Sequence, residues 1–177
     1  MKVRLLASLL SLVFLPLFAD VAYSDKAQDL VLPAAARDVL LSYSSAFDRG
    51  DCDAMLELSS PALTSRLARK PGAKDDFCSF IEHLNSNLVS DSIGKVLGVR
   101  SEGLYHMAMV ENLRRPSIKD PNILDTSLVY VLHSSDGGKH WWVLDLGCVD
   151  ARWVKEVYPP YDDDPPIPYG STVVLER

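Results

Sequence analysis

Apolar residues recur at helical spacing in the first half of the chain. Between Pro33 and Gly50 they fall within one sector of about 120° when plotted at 100° per residue; they are Ala36, Val39, Leu40, Tyr43, Ala46 and Phe47. Gly50 suits the position after a helix C-terminus, and Asp51 or Asp53 suits the cap of a following helix. The pattern predicts a first helix with Tyr43 near the centre of its apolar face.

Further helical segments follow before residue 90. Met55, Leu56 and Leu58 predict a second helix, which Ser60-Pro61 interrupts with a fresh cap and first helical position. Residues 69–74 contain Pro71 and Gly72 and predict a loop. A later helix has its apolar face at helical spacing; the residues are Phe77, Phe80, Ile81, Leu84 and Leu88.

The second half of the chain predicts antiparallel strands joined by short turns. The segments rich in β-branched and aromatic residues are 94–100, 104–113, 124–133 and 139–148, with a last short strand at 152–158. Asp136-Gly137-Gly138 is a strong hairpin signal, whereas the basic residues 114–121 predict a loop. Helices followed by such strands predict an α+β fold with a sheet of four or five strands.

The two ends of the chain differ from this domain. Lys2, Arg4 and the apolar residues 5–19 precede the segment Ala22-Tyr23-Ser24. The small residues Ala22 and Ser24 predict cleavage after Ser24, and so a signal peptide at residues 1–24. The apolar run contains Pro16 and is shorter than the roughly 20 residues of a spanning helix. We therefore expect a secreted or periplasmic protein without stable membrane insertion after cleavage. Residues 25–158 would form a single domain, and the Pro/Asp-rich residues 159–177 an extended, solvated tail.

The negative net charge of the chain limits the classes of binding partner. Cleavage removes two positive charges and one negative charge, so the formal net charge changes from −6 to −7. Nucleic acids and anionic membrane surfaces attract Lys-rich and Arg-rich proteins, so neither is expected to bind here. A small apolar molecule or another envelope protein is the expected partner.

The cysteines predict a disulfide. Cys52, Cys78 and Cys148 allow three pairings in an oxidising compartment. We favour Cys52–Cys78, because both residues lie in the helical half, and Cys148 would then be a buried thiol or an intermolecular link. The alternative is that all three are small buried hydrophobic residues. No Cys-x-x-Cys spacing indicates redox catalysis or structural zinc.

Two segments carry a resemblance to a known superfamily. Residues 43–51 (YSSAFDRGD) with Met55-Leu56-Glu57-Leu58, and the later pattern 130–146, resemble the nuclear transport factor 2-like superfamily over about residues 33–150. The resemblance implies a cone, in which helices pack on the concave face of a curved antiparallel sheet and leave a pocket between them. Members include isomerases, cyclases, dehydratases and binding proteins, and they often dimerise through the sheet, so the fold does not fix the function.

The ketosteroid isomerases of this superfamily allow a comparison by residue. Tyr43 matches the position of their tyrosine oxyanion donor. The position of their general base corresponds to a residue near Arg66, and no carboxylate lies between residues 59 and 69. The position of their second oxyanion donor falls near Leu128. Proton abstraction needs a base within hydrogen-bond reach, so isomerase chemistry is not expected.

Aromatic, polar and histidine residues supply the site candidates. Tyr43, Phe47, His106 and Trp142 are the predicted ligand-pocket residues. Trp142, Leu144 and Leu146 form the more apolar face of their strand, which we expect to contact the helices. Trp141 and Asp145 would then lie on the outer face as a partner surface, unless Trp141 packs under the C-terminal segment. His133 and His140 flank the hairpin without a third ligand at metal spacing, and we expect no cofactor or metal.

These observations favour a non-catalytic binding protein for a small apolar ligand or a protein partner, including an immunity or adaptor protein. One alternative is an isomerase-like, cyclase-like or dehydratase-like enzyme with Tyr43 as oxyanion donor and an unrecognised base. Another is a structural module of an envelope complex. No nucleophile motif or glycine-rich phosphate loop supports an enzyme.

Overall fold

The structure is a computed structural model that describes residues 30–116, 126–163 and 167. The predicted signal peptide lies outside these residues. In chain order the elements are α1 (Ala34–Asp48), α2 (Cys52–Leu58), α3 (Pro61–Arg69), α4 (Ala73–Asn87), β1 (Leu88–Glu102), β2 (Tyr105–Pro116), β3 (Thr126–Ser134), β4 (Trp142–Asp145) and α5 (Trp153–Val157). The strands form one antiparallel sheet in the order β1-β2-β3-β4. The predicted α+β fold is confirmed.

Local signals in the sequence set the helix boundaries. Gly50 has a φ of +66°, the left-handed conformation that glycine adopts readily after a helix. Asp51 caps α2, where its Oδ1 accepts a hydrogen bond of 3.1 Å from the Ala54 backbone nitrogen. Ser60 caps α3, and Pro61 is the first residue of that helix. The helix boundaries predicted at Gly50, Asp51 and Ser60-Pro61 are therefore confirmed.

Two strand predictions were wrong. The return strand predicted at 139–148 is limited to Trp142–Asp145, and the strand predicted at 152–158 is the helix α5. Val154 and Val157 of α5 are both buried. Their spacing of three residues places them on one face of a helix, whereas an alternating strand would place them on opposite faces.

The sheet is covered on both faces. Its inner face packs against α1, α2 and α4 in a buried cluster of Leu32, Ala36, Leu40, Tyr43, Ala46, Phe47, Met55, Ile81, Ala108, Val110, Tyr130, Leu132, Trp141 and Val143. Its outer face packs against α5 in a second cluster of Met107, Met109, Val129, Val131, Leu144, Val154, Val157, Tyr158 and Tyr161. Tyr161 is 6% exposed and Ile167 is half-buried against this cluster. Part of the tail, predicted as solvated, therefore packs on the sheet.

The two faces of β4 are the reverse of the prediction. Trp141 and Val143 belong to the inner cluster, whereas Leu144 belongs to the outer one. The Trp141 indole nitrogen donates a hydrogen bond of 3.0 Å to the Gly138 carbonyl oxygen, which satisfies the buried ring. At the edge of β4, the Ser60 backbone nitrogen donates to the Val143 carbonyl oxygen at 2.9 Å. This bond joins the α2–α3 junction to the sheet.

The disulfide prediction is confirmed. Cys52 at the start of α2 is bonded to Cys78 in α4, with the two Cα atoms 5.5 Å apart, and Cys148 is a free thiol. Disulfides are typical of proteins from oxidising compartments. Across the ranges that the structure describes, every helix is too short or too polar to cross a bilayer.

Candidate functional site

A buried ion pair lies on the inner face of the sheet. The Arg114 Nη2 atom is 2.5 Å from the Asp145 Oδ2 atom, and the two side chains are 4% and 2% exposed. Asp145 also accepts hydrogen bonds from the Gly147 backbone nitrogen at 2.8 Å and from the Cys148 thiol at 3.3 Å. Because a buried charge needs several such partners, this arrangement holds the carboxylate in place.

Aromatic rings surround the pair. The Arg114 guanidinium carbon lies 4.9 Å from the centre of the Phe47 ring and 5.9 Å from that of Tyr130, within the range of cation–π contacts. The Tyr43 and Tyr130 rings meet edge to face with centroids 5.7 Å apart. Tyr43 and Phe47 are each 1% exposed, so these predicted pocket residues are part of the packed core.

Burial controls the ionisation of this region. The pKa of the Tyr43 hydroxyl is raised well above its ordinary value by burial and, secondarily, by the negative charge of Asp145. Burial and Asp145 likewise raise the pKa of the Cys148 thiol. Both groups therefore keep their protons at neutral pH, and the thiol lacks the thiolate form that makes cysteine reactive.

One buried amide stands out beside the ion pair. Asn112 of β2 is 0% exposed, and neither of its side-chain polar atoms has a hydrogen-bond partner among the described residues. Asn112 lies two residues before Arg114 on the same strand face. A buried amide without a partner is uncommon in folded proteins, so Asn112 has hydrogen-bonding capacity that the described residues do not use.

A groove opens between α2, α3 and the edge strand β4. Its volume is about 640 Å³, and it is lined by Asp53, Leu56, Glu57, Ser59, Pro61, Thr64, Leu67, Ala68, Lys74 and Trp142. The charged lining residues are Asp53, Glu57 and Lys74, and the Lys74 Nζ atom is 2.7 Å from the Asp53 Oδ1 atom. We call this the Trp142 groove.

Two histidines contact the indole of Trp142. Its ring centroid lies 5.6 Å from that of His133, the residue opposite on β3, and 6.3 Å from that of His140. His133 is 4% exposed, and burial lowers its pKa to about 4, so its ring is neutral at pH 7. His140 Nδ1 lies 2.5 Å from Asp136 Oδ2, and the hydrogen bonds from His140 hold the pKa of that carboxyl well below its ordinary value.

A second cleft lies over the disulfide. It has a volume of about 580 Å³ and a mainly polar lining of Arg49, Gly50, Cys52, Asp75, Cys78, Ser79, Glu82, Asn85 and Ser86. In residues 30–116, 126–163 and 167, no three His, Cys, Asp or Glu side chains gather in a way that could hold a metal ion.

The predicted site residues do not form one site. Trp142 lines the groove, whereas the half-buried His106 lies elsewhere, with its Nδ1 atom 2.7 Å from the Ser101 hydroxyl. Placing Trp141 and Asp145 on an exposed outer face was wrong: they are 6% and 3% exposed and face the helices.

Sequence reasoning also missed Arg114 and the α3 wall of the groove. Residues 114–121 have the composition of a loop, so Arg114 gave no sign of belonging to a strand. The Ser60-Pro61 pattern predicted the turn from which α3 begins. The pattern did not predict that this turn forms a hydrogen bond with β4. Comparisons of the chain with known protein families, with curated proteins and with solved structures found no match.

Proposed function

We propose that this chain is a non-catalytic secreted or periplasmic binding protein that holds a small, largely apolar molecule in the Trp142 groove. The supporting observation is the half-buried indole of Trp142 in the wall of a cavity of about 640 Å³. Small-molecule sites commonly have volumes of about 300–1,000 Å³ and combine apolar and aromatic walls with a few polar groups. Leu56, Pro61, Leu67 and Ala68 supply the remaining apolar lining.

The inner face of the sheet supports catalysis less well. Tyr43 stays protonated, so it retains the hydrogen that an oxyanion donor needs, but its ring is packed against Tyr130 in the core. Asp145, the carboxylate of this region, is bonded to Arg114 and to the Gly147 backbone. A general base needs an available lone pair near the substrate. The enzyme alternative therefore lacks support from the groups around Tyr43.

A second candidate is a polar ligand on the inner face. Asn112 favours this alternative, because both polar atoms of its buried side chain would gain partners from such a ligand. If the chain has the nuclear transport factor 2-like cone, this position lies where the resemblance implies a pocket. The packing of helices on one face of an antiparallel sheet is compatible with that cone.

A protein partner on the outer sheet face has less support. α5, Tyr158 and Tyr161 cover much of that face, and the predicted contact residue Trp141 is buried on the opposite side. An immunity or adaptor protein, a structural module or a homodimer would therefore have to use other surfaces. The predicted signal peptide and the disulfide support an extracytoplasmic location.

The test is ligand binding by the mature protein, residues 25–177. N-phenyl-1-naphthylamine, a neutral apolar fluorescent probe, is titrated in parallel with native mass spectrometry of protein purified from the periplasm. We expect saturable binding of one probe per chain, and a loss of about tenfold or more in affinity for Trp142→Ala.

The matched control is Trp153→Ala. Trp153 is also half-buried, but it lies in α5 with Arg66 stacked 4.8 Å above its ring, and it does not line the groove. This variant should keep the affinity within about twofold. Equal losses in the two variants, or a probe that never saturates, would overturn the assignment of the ligand to this groove.

A further inference from the structure

The charges along the Trp142 groove are asymmetric. Asp53 and Glu57 lie four residues apart on α2, so their carboxylates share one side of the helix. Lys74 forms an ion pair with Asp53, and Glu57 is exposed at the same groove. The lining therefore has two negative charges and one positive charge, and the positive charge is held by Asp53.

The aromatic rings around Trp142 add no unpaired positive charge that would oppose the carboxylates. His133, which packs on Trp142, is neutral at pH 7 because burial disfavours its protonated form. His140, the other ring beside Trp142, is bonded to the Asp136 carboxylate, which offsets its charge when it is protonated. A ligand beside the indole is therefore exposed to the negative potential of the carboxylates, and the positive charge of the lining, Lys74, is paired with Asp53.

We propose that the groove selects an organic cation, a small molecule that carries an ammonium group on an apolar body. This inference rests on the proposed function, because it names the ligand class of the same groove. Indole rings and carboxylates both attract ammonium groups, and Leu56, Leu67 and Pro61 provide contacts for the apolar body. The acidic chain, with a formal net charge of −6, also favours the approach of cations.

Other ligand classes fit the lining less well. An anionic ligand would lie against Asp53 and Glu57, while the one lysine in the lining is already paired. A bare divalent ion prefers six or more oxygen ligands, or three to four side-chain ligands in the case of zinc. Two carboxylates, of which one binds Lys74, do not supply such a set. An ammonium group instead needs only diffuse negative potential and an aromatic surface.

The test compares two probes of nearly the same shape, choline and the neutral 3,3-dimethylbutan-1-ol. Binding to the full mature chain is measured by NMR titration at low ionic strength and at 0.5 M salt. We expect choline to bind about tenfold more tightly at low salt, and we expect this ratio to shrink in high salt because screening weakens the carboxylate attraction.

Charge variants of the groove test the direction of the effect. Glu57→Gln should weaken choline binding by about three- to tenfold and leave the neutral alcohol within about twofold. Lys74→Gln should do the opposite and tighten choline binding, because it removes the positive charge of the lining. Glu82→Gln is the control, since Glu82 is an exposed carboxylate that lines the other cleft.

The outcomes separate this inference from the proposed function. The organic-cation class would be overturned if choline and the alcohol bound with equal affinity, or if Lys74→Gln weakened choline binding. In either case, saturable binding of N-phenyl-1-naphthylamine would still support the groove as a binding site. Failure of both probes together with failure of N-phenyl-1-naphthylamine would overturn the groove as a binding site altogether.

Discussion

The Arg114 guanidinium of β2 bonds to the Asp145 carboxylate of β4, although β3 lies between these two strands. The contact passes over Tyr130 of β3, whose hydroxyl oxygen lies 3.5 Å from the Arg114 Nη2 atom. A single ion pair therefore ties together three adjacent strands on the inner face of the sheet. Gly147 makes this possible, because a Cβ atom at that position would collide with the guanidinium and would meet a Leu128 methyl carbon at 2.6 Å.

Removal of one member of this pair should be strongly destabilising. Arg114→Met leaves the buried Asp145 carboxylate without its cation, and we expect the free energy of unfolding to fall by about 3–5 kcal/mol. The double variant Arg114→Met/Asp145→Leu should recover part of this loss, because no buried charge then remains. Urea unfolding at pH 7 measures both variants, with the exposed pair Lys155–Asp163 as the control. Lys155→Met should change the free energy by less than about 1 kcal/mol; a similarly small effect of Arg114→Met would contradict the prediction.

The disulfide should stabilise the fold, because it closes a loop between Cys52 and Cys78, which lie 26 positions apart in the chain. For a loop of this length, the chain-entropy estimate predicts that Cys52→Ala/Cys78→Ala lowers the free energy of unfolding by about 3.5 kcal/mol. Thermal unfolding with and without a reductant measures the effect. Cys148→Ala serves as the control, because this variant keeps the disulfide and its melting temperature should still fall on reduction. The melting temperature of the double variant should be the same with and without the reductant.

The buried imidazole of His133 should make stability depend on pH. Its pKa of about 4 in the folded chain lies below the ordinary 6.5 because burial disfavours the charged ring. The unfolded chain thus binds a proton first as the pH falls. The contribution of His133 to the free energy of unfolding is fully present above pH 6.5. It is lost progressively between pH 6.5 and 4, by about 3 kcal/mol in total.

The variant His133→Phe isolates this contribution. It keeps a ring against Trp142 but cannot titrate, so its unfolding free energy should decline less than that of the wild type over the same pH interval. Parallel profiles for the wild type and His133→Phe would rule out His133 as the source.

Tyr161 should contribute to stability although it lies in a proline-rich and aspartate-rich segment. It is 6% exposed in the outer cluster, where it packs with Tyr158 and Val157. Tyr161→Ala should lower the free energy of unfolding by about 2–4 kcal/mol, as expected for a large buried side chain. Chemical unfolding tests this value, and Asp162→Ala provides a neighbouring exposed control. Equal effects of the two variants would show that the segment does not pack in solution.

The sequence predicted best those features that depend on local chemistry. The helix caps at Asp51 and Ser60, the glycine after α1 and the Cys52–Cys78 bond could all be anticipated from neighbouring residues or from a short list of partners. The helical half and the antiparallel sheet follow from the change in hydrophobic periodicity along the chain.

Features that depend on distant partners could not be anticipated. The face of β4 with Trp142 and Leu144 is the more apolar one in the sequence, yet the opposite face packs against the helices. On that opposite face Asp145 meets Arg114, which lies about 30 residues away in the chain. Because Arg114 lies in a basic stretch with the composition of a loop, nothing in the sequence alone pointed to its burial. The Trp142 groove likewise depends on the bond between Ser60 and Val143, which joins two segments far apart in the chain.

The Cys52–Cys78 bond also has a mechanical consequence. The bond connects α2 directly to α4, and the residues between the two cysteines include all of α3. Tension applied to the chain ends passes through the sulfur atoms and bypasses the intervening loop. The α3 wall of the Trp142 groove is therefore shielded from a pulling force, and a proteolytic cut within that wall leaves both fragments covalently attached.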